Sequence, residues 1–408
     1  GRLGNGETSN QASPVLTKTL GPSVSSISAG GDHSCALLGN GSVACWGAGR
    51  VGDGRANGSS VPVLVSSFGA GRTAVQISSG NQGSCAILDN GSVSCWGYGD
   101  NLGNGFVSFA PSPTLTGDLG AGRTAVDLSL GGGHSCAVLD NGSVSCWGVN
   151  LYGQLGDATM GTGDPKPSLT GSFGAGRTAV SVTTGIDHSC ALLDNGSVSC
   201  WGQNEYGQLG TGDRVAMSSP TLIAPFDSGR TAVDVSAGRS HTCALLDNGQ
   251  VSCWGQGSLG HGSIGSSNVP LTITHSGGIS NAVSISAGYE HSCAALSNGS
   301  AMCWGSNNYG ALGIGDAAQV SNSNAVLVPS SLDSNRKVVD IVAGVDRTCV
   351  LYDNQSVACT GRGTAGQIGN NDTSNQVNFT YTIPMVVPRS IALENGDSDG
   401  DGVADPLD

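Results

Sequence analysis

The sequence is short of charge. Asp, Glu, Lys and Arg together make up 11% of the 408 residues, against roughly a quarter in an ordinary soluble domain. Basic residues are the scarcer kind, 16 against 30 acidic, which gives a formal net charge of −14. A protein that grips nucleic acid through its phosphates needs a basic face, and this composition supplies none. Aromatics are only 5%, which counts mildly against a binding surface rich in rings. No run of 18 apolar residues occurs, so no membrane span is expected. The opening Gly1-Arg2-Leu3-Gly4-Asn5-Gly6 does not read as a signal peptide, so a mature chain or a fragment is expected. What the sequence has in plenty is glycine. Its 67 glycines and 14 prolines make about a fifth of the chain, below the roughly 25–30% of disordered Pro/Gly-rich sequence. A chain of this length exceeds what one ordinary core serves, so several domains or a repeat architecture is required.

A repeat is present. The segment His33-Ser34-Cys35-Ala36-Leu37-Leu38-Gly39-Asn40-Gly41-Ser42-Val43-Ala44-Cys45-Trp46-Gly47 recurs seven times. All 14 cysteines fall in it, as Cys35 and Cys45, Cys85 and Cys95, Cys136 and Cys146, Cys190 and Cys200, Cys243 and Cys253, Cys293 and Cys303, Cys349 and Cys359. An asparagine stands midway between the cysteines of each pair, usually within Asp-Asn-Gly. A three-residue hairpin loop closing on a left-handed glycine suits this text and sets Cys35 opposite Cys45. A two-residue turn would set Cys35 against Trp46 instead. Asn354-Gln355 lacks the glycine, and a different turn is expected there. Opposed strand residues are within disulfide reach, so seven disulfides inside hairpins are expected, which implies an oxidising compartment. Free thiols and metal sites are the alternatives, but zinc prefers much closer ligand pairs.

The hairpin strands are apolar on both faces, as strands between two layers are. An alternating strand precedes each hairpin, as in Val75-Gln76-Ile77-Ser78, and a strand opened by proline follows, as in Pro62-Val63-Leu64-Val65. Four strands in each of seven units describe an all-β, seven-bladed propeller.

These units resemble the repeat of the regulator of chromosome condensation family. The marks are Gly153-Gln154-Leu155-Gly156, Gly207-Gln208-Leu209-Gly210, the step from Gly185 to His188-Ser189, and Cys-Trp-Gly. The resemblance covers residues 1 to about 391 and implies a seven-bladed propeller. It does not carry a function with it. Departures are Thr360 in place of Trp, and Gln82-Gly83 and Asp346-Arg347 at the histidine step.

Hairpins number seven, yet the Gly-x-Leu-Gly motif and the proline-led strand each occur eight times, from Leu3 and Pro14 to Ile368 and Pro384. A propeller domain over 1–391 is therefore expected to hold seven hairpin repeats plus an extra C-terminal half-repeat at about 362–391, with the first and last outer strands competing for one place. A spare strand can pair with an open edge on another copy, and head-to-tail pairing would build a filament. Residues 392–408 form a separate calcium loop or the start of a linker. Asp397, Asp399, Asp401, Asp405 and Asp408, with the Val403 carbonyl, have the oxygen spacing of a structural calcium site around Gly402. The segment resembles thrombospondin type 3 repeats.

Other signals are weaker. Gly396-Asp397-Ser398-Asp399-Gly400 matches a hydrolase pattern without its strand-turn-helix setting. Gly47 to Gly52 and Gly255 to Gly260 match a dinucleotide fingerprint with no helix to follow. Five histidines at one repeat position, His33, His134, His188, His241 and His291, are read as hydrogen-bonded structural groups. Arg72, Arg123, Arg177 and Arg230 are expected to brace loops through carbonyls, and the tryptophans to pack between blades. Candidate glycosylation sequons start at Asn40, Asn57, Asn90, Asn141, Asn195, Asn298, Asn354, Asn371 and Asn378. No nucleophile, base and orienting group converge, so an enzyme is not expected. The favoured reading is an extracellular or cell-surface structural protein that assembles with itself. The alternative is a secreted monomeric binding module, an adhesin or inhibitor for surface proteins or glycans.

Overall fold

The computed structural model describes residues 24–381, apart from 100–101, 106–108, 121, 263, 275–278, 316–320, 329–335, 356 and 363–373. Seven four-stranded antiparallel sheets form a closed ring, each in the simple order inner, second, third, outer. The blades are 24–64, 74–115, 125–169, 179–222, 232–272, 282–327 and 338–381. Each is built from one contiguous stretch of chain, with no strand lent between blades.

The hairpin drives this arrangement. In the first blade, His33–Leu38 and Val43–Gly47 are buried at every position, because a blade lies between two neighbours. Cys35 faces Cys45, and Leu37 faces Val43. Gly41 closes the loop at φ 76°, as the sequence predicts. The seventh hairpin turns the same way, contrary to expectation. Gln355 itself takes the left-handed place at φ 66°, and its N–H reaches the Tyr352 carbonyl.

The cysteines of every hairpin are joined, with Cα atoms 4.0–4.1 Å apart. Between blades, the tryptophan of one hairpin packs beside the Gly-x-Leu-Gly leucine of the preceding blade. Trp147 and Leu102 share one core cluster, and Trp254 and Leu209 another. Blade 7 meets blade 1 in the same manner, with Cys349, Leu351 and Val357 against Val24, Ile27 and Trp46.

Two expectations about the outer strand are corrected. Proline does not open it: Pro62 lies inside Ser59–Leu64 and Pro113 inside Phe109–Leu115. The free edge tolerates a residue without an N–H. Nor is the C-terminal half-repeat all surplus. Gln376–Tyr381 is the outer strand of blade 7, with Thr380 opposite Cys359. Seven outer places are thus filled by residues after each hairpin. Pro384, and the N-terminal half-repeat at Leu3 and Pro14, lie outside the described residues, as do Asp397, Asp399, Asp401, Val403, Asp405 and Asp408.

Candidate functional site: the two faces of the ring

The chain order gives the ring two different faces. One carries the hairpin tips and the links between blades, and is called here the tip face. The other carries the turns from inner to second strand and the connections from third to outer strand. It is called the loop face.

The tip face repeats itself. Arg72, Arg123, Arg177, Arg230 and Arg336 each pair with an aspartate of their own blade's hairpin tip: Asp89, Asp140, Asp194, Asp247 and Asp353, at 3.2–4.0 Å. The arginine side chains thus hold carboxylates rather than the expected carbonyls. Asn40, Asn90, Asn141, Asn195, Asn298 and Asn354 are exposed at the tips. In Asn141 and Asn195 the side-chain oxygen accepts from the hydroxyl and N–H of the serine two residues on. Asn57 is exposed on the connection between the third and outer strands of blade 1. Asn378 lies in the last outer strand, and Asn371 is outside the described residues.

Beneath the loop face, the histidines form a relay of latches. His33 Nε2 is 2.7 Å from the Ser84 hydroxyl of the next blade. The same step joins His134 to Ser189, His188 to Thr242, His241 to Ser292 and His291 to Thr348, at 2.8–2.9 Å. Ser189, Thr242 and Thr348 spend their own protons on the carbonyls of Gln154, Gln208 and Ala311. Their histidine partners must therefore donate from Nε2. Complete burial lowers these histidines to about 4, and His188 to about 3. They are neutral latches, which accords with the structural role expected of them.

The seventh seam differs. Arg347 stands at the histidine position, 1% exposed. Its guanidinium donates to the carbonyls of Gly31 at 2.7 Å, Gly30 at 3.1 Å and His33, all in blade 1. Desolvation lowers its pKa to about 10, so it stays charged at neutral pH. The sequence marked Arg347 only as a departure from the repeat.

Above the latches the loop face is irregular. Its post-tryptophan connections come in three lengths, the middle one being six positions from Trp96 to Leu102. Eight positions separate Trp147 from Leu155, Trp201 from Leu209 and Trp304 from Leu312, but five separate Trp46 from Val51 and Trp254 from Leu259. The long form contains a buried asparagine whose side-chain oxygen accepts the leucine N–H, as Asn150 does for Leu155 and Asn204 for Leu209. It also presents a tyrosine outward: Tyr152, Tyr206 or Tyr309. Arginines lie over the rings. Arg50 sits 4.8 Å from the centre of Tyr98 and 4.4 Å from that of Phe109. Arg239 sits 4.6 Å from Tyr289, and Arg362 5.7 Å from Tyr309. Five of the seven tyrosines are on this face, so the few aromatics are concentrated rather than scattered.

In the channel, Asp127, Asp234 and Asp340 occupy equivalent places on the inner strands of alternate blades. Burial raises Asp234 to about 6, and the charges of Asp127 and Asp340 push it the same way, against the Val235 N–H that donates to the carboxylate. Asp340 is raised as well, mainly by burial.

Comparison with known proteins matches this architecture. The RCC1-like domain model matches residues 110–398. The regulator of chromosome condensation (RCC1) repeat model matches 1–37, 24–53 and 74–102. The ultraviolet-B receptor UVR8 of Arabidopsis thaliana is 31% identical over 284 residues, 65% of this chain and 61% of the receptor. Among solved structures, human WBSCR16 superposes with a TM-score of 0.72 at 23% identity, covering 82% of this chain and 87% of the other. Yeast RCC1 (Prp20), in a structure bound to Kap60, gives 0.68 at 22%, covering 79% and 78%. These two likenesses concern the fold alone.

Proposed function

This chain belongs to the RCC1-like domain family, and we propose that it is an extracellular, disulfide-stapled binding module that meets its partner with the loop face. The observation that carries this reading is the contrast in side chains. Tyrosines, several with an arginine laid over the ring, collect on connections of unequal length on one face, while the other face carries a nearly uniform set of Arg–Asp pairs. Aromatics and arginine are the residues most enriched at binding hot spots. The seven cystines favour an oxidising compartment. Among the described residues no helix is long and apolar enough to cross a membrane. Sequons at the tips would place any glycans on the opposite face. The acidic segment 397–408 is proposed to hold a structural calcium ion.

The test is capture by the intact, oxidised protein. Tyr98→Ala/Tyr289→Ala should lose a surface or secreted partner that Arg72→Ala/Arg177→Ala retains. Equal capture by both variants would overturn the reading.

A second reading is kept alive by one count. The residues 1–37 match a family repeat, while all seven outer-strand places are filled from residues after each hairpin. The N-terminal half-repeat is therefore proposed to be available for pairing with another copy. Negative-stain microscopy with and without a calcium chelator tests this. Ordered polymers support self-assembly, and lone rings under both conditions exclude it.

A further inference from the structure

The short connections open clefts in the loop face. Where blade 5 lacks the three residues that blades 4 and 6 possess, its third strand runs on to Ser258 and pairs with the outer strand through Gln256–Ser266 and Ser258–Ile264. Connections three residues longer flank it in blades 4 and 6. A cleft of about 460 Å³ results. A second, of about 340 Å³, lies over blade 1, the other blade with the five-position connection. The deletion has a further effect below. At the two seams fed by long connections, Trp201 and Trp254 donate their indole N–H to the Gln154 and Gln208 carbonyls at 2.9 Å. Trp304, fed by the short connection of blade 5, is 1% exposed and its N–H has no partner among the described residues.

The cleft over blade 5 has a specific chemistry. Tyr206 enters from blade 4 and Tyr289 from blade 6, with Gln256 on the floor and Asn308 at the side. Serine hydroxyls make up most of the remainder. Among the described lining residues the one cation, Arg239, is already engaged: it lies over Tyr289 and is 3.0 Å from Glu290. An anionic ligand therefore finds no free positive charge, and a cationic one finds a carboxylate already neutralised. An apolar ligand finds almost no aliphatic wall. Two rings with amides, hydroxyls and a balanced ion pair suit a molecule with apolar C–H faces and many hydroxyl groups. The volume is within the usual range for small-ligand sites.

We propose that the cleft between Tyr206 and Tyr289 binds a neutral saccharide, with a sugar ring against the tyrosines and its hydroxyls on Gln256, Asn308 and the Arg239–Glu290 pair. The proposal deepens the binding role of the loop face and rests on it.

Saturation-transfer NMR on the intact, oxidised protein tests it, with cellotetraose and chitotetraose as neutral probes and a heparin tetrasaccharide as the charged one. At least one neutral probe should bind, with a Kd raised tenfold or more by Tyr289→Ala and by Tyr206→Ala. Tyr289→Phe should keep most of the affinity, and Tyr98→Ala, at the other cleft, should keep all of it. Circular dichroism identifies any variant that fails to fold. Binding of the heparin probe alone, of no probe, or equally by wild type and Tyr289→Ala would overturn the proposal. The capture experiment separates the two claims. If a partner is still lost with the loop-face variant while no saccharide binds, the saccharide assignment falls and the face assignment stands.

Discussion

The two faces of this ring are held in opposite ways. The tip face is tied by exposed ion pairs in five of the seven blades, in which both partners remain more than a third exposed. Such pairs contribute about 0–1 kcal/mol each, and the loss of one leaves the others untouched. The loop face is variable on the outside but rests on buried, desolvated latches between blades. There a single change strands a donor or acceptor away from water. The comparison teaches where variation is tolerated. Loops can differ in length and chemistry because the histidine-to-hydroxyl step is made under long and short connections alike, even where the indole bond to the connection is lost.

Acid should separate the faces most sharply. The latch histidines are depressed in the folded ring and ordinary when it unfolds. Their contribution is complete above about pH 6.5 and is lost as pH falls through about 4. Each histidine at a folded value of about 4 represents on the order of 3 kcal/mol at full loss. Melting temperature should fall steeply between pH 6.5 and 4. Hydrogen exchange should quicken first at the amides around Gly185 and Gly238, before those of the tips. A flat profile over that range would break the comparison.

Next in size is the closing seam. Arg347→Ala takes the guanidinium away from the Gly30, Gly31 and His33 carbonyls, of which His33 keeps the Gly30 N–H, and opens a cavity; it should cost about 3 kcal/mol by denaturant titration. Arg347→His, which restores the repeat's own residue, should cost less.

Asp234→Asn should act in the other direction. Its folded value is raised, so its contribution is present below about pH 3.8 and lost as pH rises through about 6. The substitution should therefore stabilise the ring by about 1–2 kcal/mol at pH 7 and by nothing near pH 3.5, as calorimetry at the two pH values would show. The smallest effect is reserved for the tip face. Arg177→Ala should change stability by less than about 0.5 kcal/mol, and a loss above 1 kcal/mol would show that the tips are not redundant.

Much of this was legible in the sequence, for a physical reason. The cysteine spacing and the Asn-Gly turn fix the hairpin register locally, and the sevenfold recurrence fixes the number of blades. Partners across seams were harder, since they lie 51–57 residues apart. A signal did exist: all seven repeats carry Ser or Thr just after the histidine step, and in five of them that residue is the latch partner of the preceding blade's histidine. The loop clefts were also countable, as the distance from tryptophan to leucine, but only the assembled ring shows that a short connection between two long ones leaves a space. The last outer strand was misplaced because proline was used as its marker. Gln376–Tyr381 is polar and proline-free, and an edge strand needs no proline. The Arg–Asp pairs lie 17 apart on separate segments; that spacing recurs in all five, but only the register of link against hairpin tip shows that the two side chains meet.

Every blade is covalently self-contained: its cystine joins strands of the same hairpin, and none spans a seam. Under tension applied at its two ends, such a chain would part at the seam closed by Arg347 and then shed blades in sequence, each keeping a knotted hairpin. The seven cross-linked loops would withhold roughly 200 Å of contour length from the pull. The molecule would lengthen in steps and recoil blade by blade, a mechanical fuse that resets as long as its sulfurs stay oxidised.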